Sequence, residues 1–174
     1  MAEVRAAVAE DAEGVARVHV TAWQAAYHGV LAQDYLDNLQ WEKRYEFWSR
    51  ELVEPGNRRT RTWVLAEGAT VLGFASIGPA RDDDRQWPGA WELYAIYLLP
   101  EHWHRGWGRA LTRQALDDLP PDVVDVSLWV LSENEAARAF YERLRFIAYG
   151  PPRWATVGGR DVAEVRYLKD QISP

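Results

Sequence analysis

"HRGWGRAL", residues 104–111, follows the hydrophobic run "LYAIYLLP" (93–100) and opens the amphipathic stretch "GRALTRQALDDL" (108–119). Two glycines and two arginines thus stand where a strand hands over to a helix. At such a junction the first helical amides lack partners, and the helix dipole makes that end attractive to anions. Phosphate fits there. Gly106 and Gly108 remove two Cβ atoms, so an anionic group can approach the backbone and the turn can take positive φ angles, while Arg105 and Arg109 add charge at its rim.

Working outward, "EVRAAV" (3–8) reads as a short strand. A helix follows from about Asp11 to Tyr27, with Val15, Val18, Ala22, Ala25 and Ala26 at helical spacing behind Asp11 as N-cap. "GVLAQDYLDNL" (29–39) reads as a turn and a short helix. In "WEKRYEFWSREL" (41–52), Tyr45, Trp48 and Leu52 share one helical face. "TWVLAEGATVLGFASIGPA" (62–80) has the pattern of a hairpin turning at Glu67-Gly68, and "RDDDRQWPGA" (81–90) reads as a polar loop. "WELYAIYLLP" (91–100) predicts a central strand buried on both faces and ended by Pro100.

After the strand, a helix from about Gly106 to Leu119 leads through Pro120-Pro121 to the strand "VVDVSLWVL" (123–131), completing a β-α-β unit. "SENEAARAFYERL" (132–144) is the next helix, and "FIAYG" (146–150) and "DVAEVRYLKD" (161–170) are two closing strands. The order predicts one α/β domain over residues 1–174, a mixed central sheet flanked by helices. With 174 residues, 48% of them hydrophobic, the chain has the material for one sizeable core.

Composition narrows the function. The chain has no Cys, which excludes disulfides, thiolate metal sites and cysteine nucleophiles. A net charge of -6 is a poor match for a protein that gains affinity by neutralising nucleic-acid phosphates, so no nucleic-acid partner is expected. The charged start "MAEVRAAVAEDAEG" and the lack of a long uncharged apolar run lead us to expect a cytoplasmic chain without a membrane span. His102 and His104 are the only close histidine pair and have no acidic partner in a typical metal spacing, so no metal site is expected.

Three phosphate-binding patterns can be held against the turn. The Walker pattern requires Gly-Lys followed by Ser or Thr, whereas here Gly108 is followed by Arg109 and Ala110. A dinucleotide turn wants a third glycine where this chain has Leu111, and it belongs near the start of a doubly wound sheet. The third pattern, Arg or Gln, two residues, Gly, one residue, then Gly or Ala, is met over Arg105, Gly106, Trp107, Gly108, Arg109 and Ala110. On these residues the chain resembles the GNAT superfamily, the GCN5-related N-acetyltransferases. The segment "NEAARAFYERLRF" (134–146) is similar to the family's helix, with Asn134, Ala137, Phe140, Tyr141 and Phe146 in register and Arg145 where the family usually has glycine.

The resemblance implies a GNAT fold, acetyl-CoA as acyl donor and an N-acetyltransferase activity. It implies that the turn, with His104 nearby, holds the pyrophosphate, and that the backbone of the preceding strand (Ile96, Tyr97, Leu98) binds the pantetheine arm and polarises the carbonyl. It also implies a proton-donating Tyr141 and a coenzyme contact from Asn134. Physically, thioester aminolysis needs an unprotonated amine, a polarised carbonyl and a proton for the departing thiolate. Glu92, at the start of an apolar strand, is a candidate base; the alternative is a carboxylate facing solvent or pairing with an arginine. Tyr141 can equally be a core residue, and Ser132 with Glu135 has capping-box spacing that would leave Asn134 in the first helical turn. Trp23, Tyr27 and Tyr35 are candidates for holding a small-molecule or peptide amine, or else pack helix against sheet. The rival reading is a non-catalytic acyl-CoA-binding regulatory module. The sequence does not fix the acceptor or the oligomeric state, a homodimer included.

Overall fold

The computed structural model describes residues 1–53 and 60–170. The described residues run β1 (Glu3–Ala6), α1 (Ala12–Ala26), α2 (Gln33–Asp37), α3 (Trp41–Val53), β2 (Arg61–Glu67), β3 (Thr70–Pro79), β4 (Ala90–Leu98), α4 (Trp107–Asp117), β5 (Asp125–Leu131), α5 (Glu135–Arg143), β6 (Ile147–Ala148), β7 (Arg153–Val157) and β8 (Arg160–Asp170). The strands form one sheet in the order β1-β2-β3-β4-β5-β8-β6, with β7 also pairing β8. Every pairing is antiparallel except β4 with β5, the pair joined through α4. This is the expected mixed sheet flanked by helices.

Amphipathic stripes decide which helix covers which face. On one side α1 and α3 bury Val15, Val18, Trp48 and Leu52 against Val64 and Phe74. On the other, α4 and α5 bury Leu111, Ala115 and Tyr141 against Leu93, Leu128, Phe146 and Tyr167. A smaller cluster sets Leu31 and Leu36 beneath Leu131 and Val162. Each such aliphatic side chain removed from water contributes roughly 1.5–3 kcal/mol.

The feature that makes a site is the parting of β4 from β5. Their pairing spans only Ala90–Glu92 against Asp125–Ser127. Across β3, Ser76 pairs Ala95 and Ile77 pairs Leu93, which leaves Tyr94 as the extra residue of a β-bulge. A bulge bends its strand and sharpens the twist, here just where β4 leaves β5. The expectation that the whole strand is buried on both faces therefore holds only for Ala90–Leu93; Tyr94–Leu98 are half-buried.

Other expectations are corrected. Tyr45 is exposed, because α3 turns Trp48 and Leu52 inward and leaves Tyr45 beside Trp41 at its outer edge. Asp11 does not cap α1 with its side chain: the carboxylate accepts the Val8 N–H (2.9 Å) and pairs with Arg5 (2.7 and 2.8 Å). β7 was not foreseen, and its exposed residues are held by cross-strand polar pairs, Arg153 to Glu164 (2.6 Å) and Thr156 to Asp161 (2.7 Å). The polar loop at 81–90 is stapled down. Arg85 pairs with Asp125, Arg166 binds Asp84 (2.8 and 2.9 Å), and the Trp129 indole donates to Asp82 (2.7 Å).

Candidate active site

The turn before α4 divides the work between its two glycines. Gly106 takes φ 83° and caps the helix without a side-chain hydrogen bond; a Cβ there would meet nothing within 4 Å, so its role is conformational. Gly108 lies inside the first helical turn, where a Cβ would stand 3.3 Å from the Phe140 ring, so its role is to let α4 close on α5. The Ala110 N–H bonds the Gly106 carbonyl (3.0 Å), and the amides of Trp107, Gly108 and Arg109 stand earlier in the helix than any intrahelical acceptor. His104 also has a positive φ, 57°, and Arg105 and Arg109 are exposed beside the turn. The arrangement suits a diphosphate.

Next to the turn lies the open edge of β4. The Leu99 N–H bonds the Leu72 carbonyl (2.9 Å), which by strand alternation turns the Tyr97 backbone towards β3 and the Ile96 and Leu98 backbones into the split. The Leu98 carbonyl already accepts the Trp103 indole N–H (2.8 Å). Ile96 thus presents both backbone groups to the gap, Leu98 keeps its N–H there, and Tyr97 takes part through its side chain on the α1 face.

Across the split, α5 supplies Tyr141 and Asn134. Tyr141 is buried edge-on against Phe140 and Phe146, and burial raises its phenol pKa far above the ordinary value, so it keeps its proton. Asn134 is the N-cap of α5, accepting the Ala137 N–H (3.1 Å). This corrects the assignment of the start to Ser132, since the chain enters the helix two residues later and only the Asn134 carbonyl reaches a free amide. The Tyr27 hydroxyl interacts with the Tyr97 hydroxyl and the Asn134 amide, and feels Tyr141. Three phenols and an amide from α1, β4 and α5 therefore meet.

Around them is an aromatic cluster. His19 stacks on Tyr97 (5.2 Å between ring centroids), Trp23 meets Tyr27 edge-on (5.0 Å), and the Arg44 guanidinium lies over Trp23 (5.7 Å). His19 Nδ1 accepts the Trp48 indole N–H (3.2 Å), while burial and then the Arg44 charge push its pKa down to about 3. Tyr27 and Tyr97 are also raised, chiefly by burial. The Trp23 indole N–H is buried without a partner. Tyr35 packs against the same small cluster as Tyr27 and stands over Gly158, fastening α2 to the β7–β8 turn.

Glu92 combines both readings offered for it: it is buried and it is paired. The Arg81 guanidinium donates to Oε1 (2.5 Å) and Oε2 (3.2 Å), and the Arg81 backbone N–H donates to Oε2 (3.1 Å). His19, Tyr97 as a side chain, Arg44 and Arg81 escaped the sequence reading. The i, i+4, i+8 spacing of His19, Trp23 and Tyr27 was the available signal, since it sets all three on one stripe of α1. Among the described residues there is no cluster of three or more potential metal ligands, and no helix long and apolar enough to cross a membrane.

The sequence model of the acetyltransferase (GNAT) family matches residues 18–146. The chain belongs to the GNAT family. Among its relatives, the uncharacterized N-acetyltransferase YuaI of Bacillus subtilis is 35% identical over 158 residues, 89% of this chain and 83% of that protein. The N-alpha-acetyltransferase RimI of Mycobacterium tuberculosis is 34% identical over 121 residues, 68% of this chain and 71% of that one. Among solved structures, the PaiA N-acetyltransferase of Thermoplasma acidophilum, crystallised with coenzyme A, superposes with a TM-score of 0.76 at 22% identity, covering 98% of this chain and 99% of its own. That likeness is one of fold.

Proposed function

We propose that this GNAT protein transfers an acetyl group from acetyl-CoA to a primary amine, by direct attack within a ternary complex. The observation that carries the reading is the split between β4 and β5, flanked by the unpaired amides of α4 on one side and the buried Tyr141 hydroxyl on the other. Trp107, Gly108 and Arg109 would hold the diphosphate with their N–H groups, and Arg105 and His104 would stand at its rim. The Ile96 and Leu98 backbones would pair with the pantetheine amides. The coenzyme supplies the acetyl group as an activated thioester.

The chain's own groups meet the remaining needs. A β4 N–H facing the split can hydrogen-bond a carbonyl oxygen in the manner of an oxyanion site. Tyr141 Oη holds a proton that it can hand to a departing sulfur, and nothing nearby draws that proton away. Glu92 is the carboxylate for the amine. It already binds one cation, Arg81, so an arriving ammonium can replace like charge with like before giving up its proton. The neutral, desolvated surroundings of Tyr27, Tyr97 and His19 favour the uncharged amine that attacks.

The test is calorimetric titration with acetyl-CoA and CoA, with ATP and NAD as controls, followed by thiol release across a panel of amines. Micromolar preference for the coenzyme A pair together with acceptor-dependent thiol release is the expected result. Binding without release across the panel would favour a regulatory acyl-CoA-binding module. No binding, or preference for ATP or NAD, would overturn the proposal.

A further inference from the structure

Beside the turn, Arg109 at the start of α4 and Arg143 and Arg145 at the end of α5 line a groove of about 370 Å³ floored by Phe140 and Leu144. In a chain whose net charge is -6, three guanidiniums gathered on one groove require explanation. Among the described residues many arginines are neutralised: Arg5, Arg81, Arg85, Arg153 and Arg166 all hold carboxylates. Among the described residues, Arg109, Arg143 and Arg145 make no ion pair. Unpaired cations held close together repel one another, so the groove is electrostatically prepared for an anion.

Arg145 adds an independent observation. It sits at φ 65°, where a residue with a Cβ is strained and where glycine would be at ease. Its N–H bonds the Glu142 carbonyl (2.9 Å), closing the α5 terminus in the usual left-handed way. The turn needs only the backbone conformation, so the strained side chain has to be accounted for by what it reaches, and it reaches the groove.

The geometry points to a specific ligand group. We infer that Arg145, with Arg143 and Arg109, recognises the phosphate monoester on the ribose of coenzyme A, and so selects the full coenzyme over its dephospho form. This rests on the proposed function, which puts the diphosphate at the amides of α4. With one arm of the coenzyme in the β4–β5 split, the nucleoside arm leaves on the other side of the turn, and the groove adjoins the turn through Arg109. Phe140 and Leu144 offer an apolar floor for base and ribose. A dianionic monoester is the one remaining group on the coenzyme whose charge matches three unpaired guanidiniums, and planar guanidinium forks bind it in bidentate fashion.

The test measures the affinities of CoA and dephospho-CoA by calorimetry for the unaltered protein, Arg145→Gly and Arg143→Gln, with thermal unfolding alongside. The unaltered protein is expected to prefer CoA roughly tenfold or more, as charge-assisted bidentate contacts warrant. Arg145→Gly should remove most of that preference by weakening CoA alone, leave dephospho-CoA affinity in place, and unfold at an equal or higher temperature as the left-handed strain is relieved. Arg143→Gln should reduce the preference in the same direction. Equal affinity of the unaltered protein for the two ligands, or a preference untouched in both variants, would overturn the inference while leaving the acetyltransferase reading intact. Failure to bind either ligand would remove both.

Discussion

The N-terminus of α4 and the aromatic cluster on α1 flank the same strand, and they treat polarity in opposite ways. At α4 the polar groups are left open: the first amides are uncapped, and Arg105 and Arg109 stand in solvent. At α1 the titratable groups are closed in and kept uncharged, with His19 held neutral and Tyr27, Tyr97 and Tyr141 held protonated. The difference assigns two tasks. On the proposed function, fixed anionic groups would be held where charge is free to act, and protons would be handled where burial keeps the phenols and the imidazole neutral.

The largest expected effect lies on the enclosed side. Tyr141→Phe should lower kcat by about 100-fold, the usual scale for losing a proton donor, while calorimetry shows CoA affinity nearly unchanged. Glu92→Gln should lower kcat/KM most at the acid end of its pH profile, where the amine is most fully protonated. A rate that survives both substitutions would dissolve the contrast between the two regions. Since burial keeps Tyr141 uncharged, Tyr141→Phe should not alter the salt dependence of coenzyme binding.

Acid should expose the same enclosure. His19 titrates near 3 in the folded protein and near 6.5 unfolded, so between those values the unfolded chain binds the extra proton. Its contribution to stability is therefore complete above about pH 6.5 and is lost as the pH falls towards 3, with a slope approaching 1.4 kcal/mol per pH unit. Denaturant unfolding from pH 7 to pH 4 measures it, and His19→Gln should flatten this part of the curve. An unchanged slope would mean that the cluster admits water.

The smallest effects separate the glycines of the open region. Gly106→Ala should cost roughly 1–2 kcal/mol of stability through its left-handed φ and should also weaken CoA binding by distorting the cradle. Gly108→Ala should cost less, about 1 kcal/mol, because its backbone is helical and only the Phe140 ring has to give way. Thermal melts with calorimetry on both variants would rank them, and the reverse order would show that packing rather than backbone conformation governs the turn.

Local features of this site were legible in the sequence. The glycine-rich handover, the hairpin and the α5 stripe all declare themselves through short-range spacing; the hairpin turns at Gly68-Ala69, one residue beyond the expected Glu67-Gly68, because Glu67 still pairs with Thr70. What depended on distant partners was not legible. The sequence offers Glu92 an arginine partner without naming it, since only the loop brings Arg81 onto it, and β7 has no hydrophobic alternation because its support comes from polar pairs with β8. Asn134 was hidden for a subtler reason: two overlapping cap patterns fit "SENE", and only the path of the chain out of β5 selects between them. The parting of β4 from β5 leaves no mark on composition, since the residues that line the gap, Ile96 and Leu98, do so with their backbones.

The bulge at Tyr94 makes β4 two half-strands of opposite phase. Before it, Trp91 and Leu93 face α4 and α5; after it, Ile96 and Leu98 face that way and Ala95 and Tyr97 face α1, so odd and even positions exchange sides. Deleting that single residue would restore strict alternation with Tyr97 still on the α1 face, and would take away the bend at which β4 leaves β5; flattening the bulge with the residue retained would instead turn Tyr97 into the α4 layer, away from Tyr27 and His19. A chimera that grafts another protein's acceptor side onto this donor side must therefore be cut at Tyr94, the point where the strand changes step.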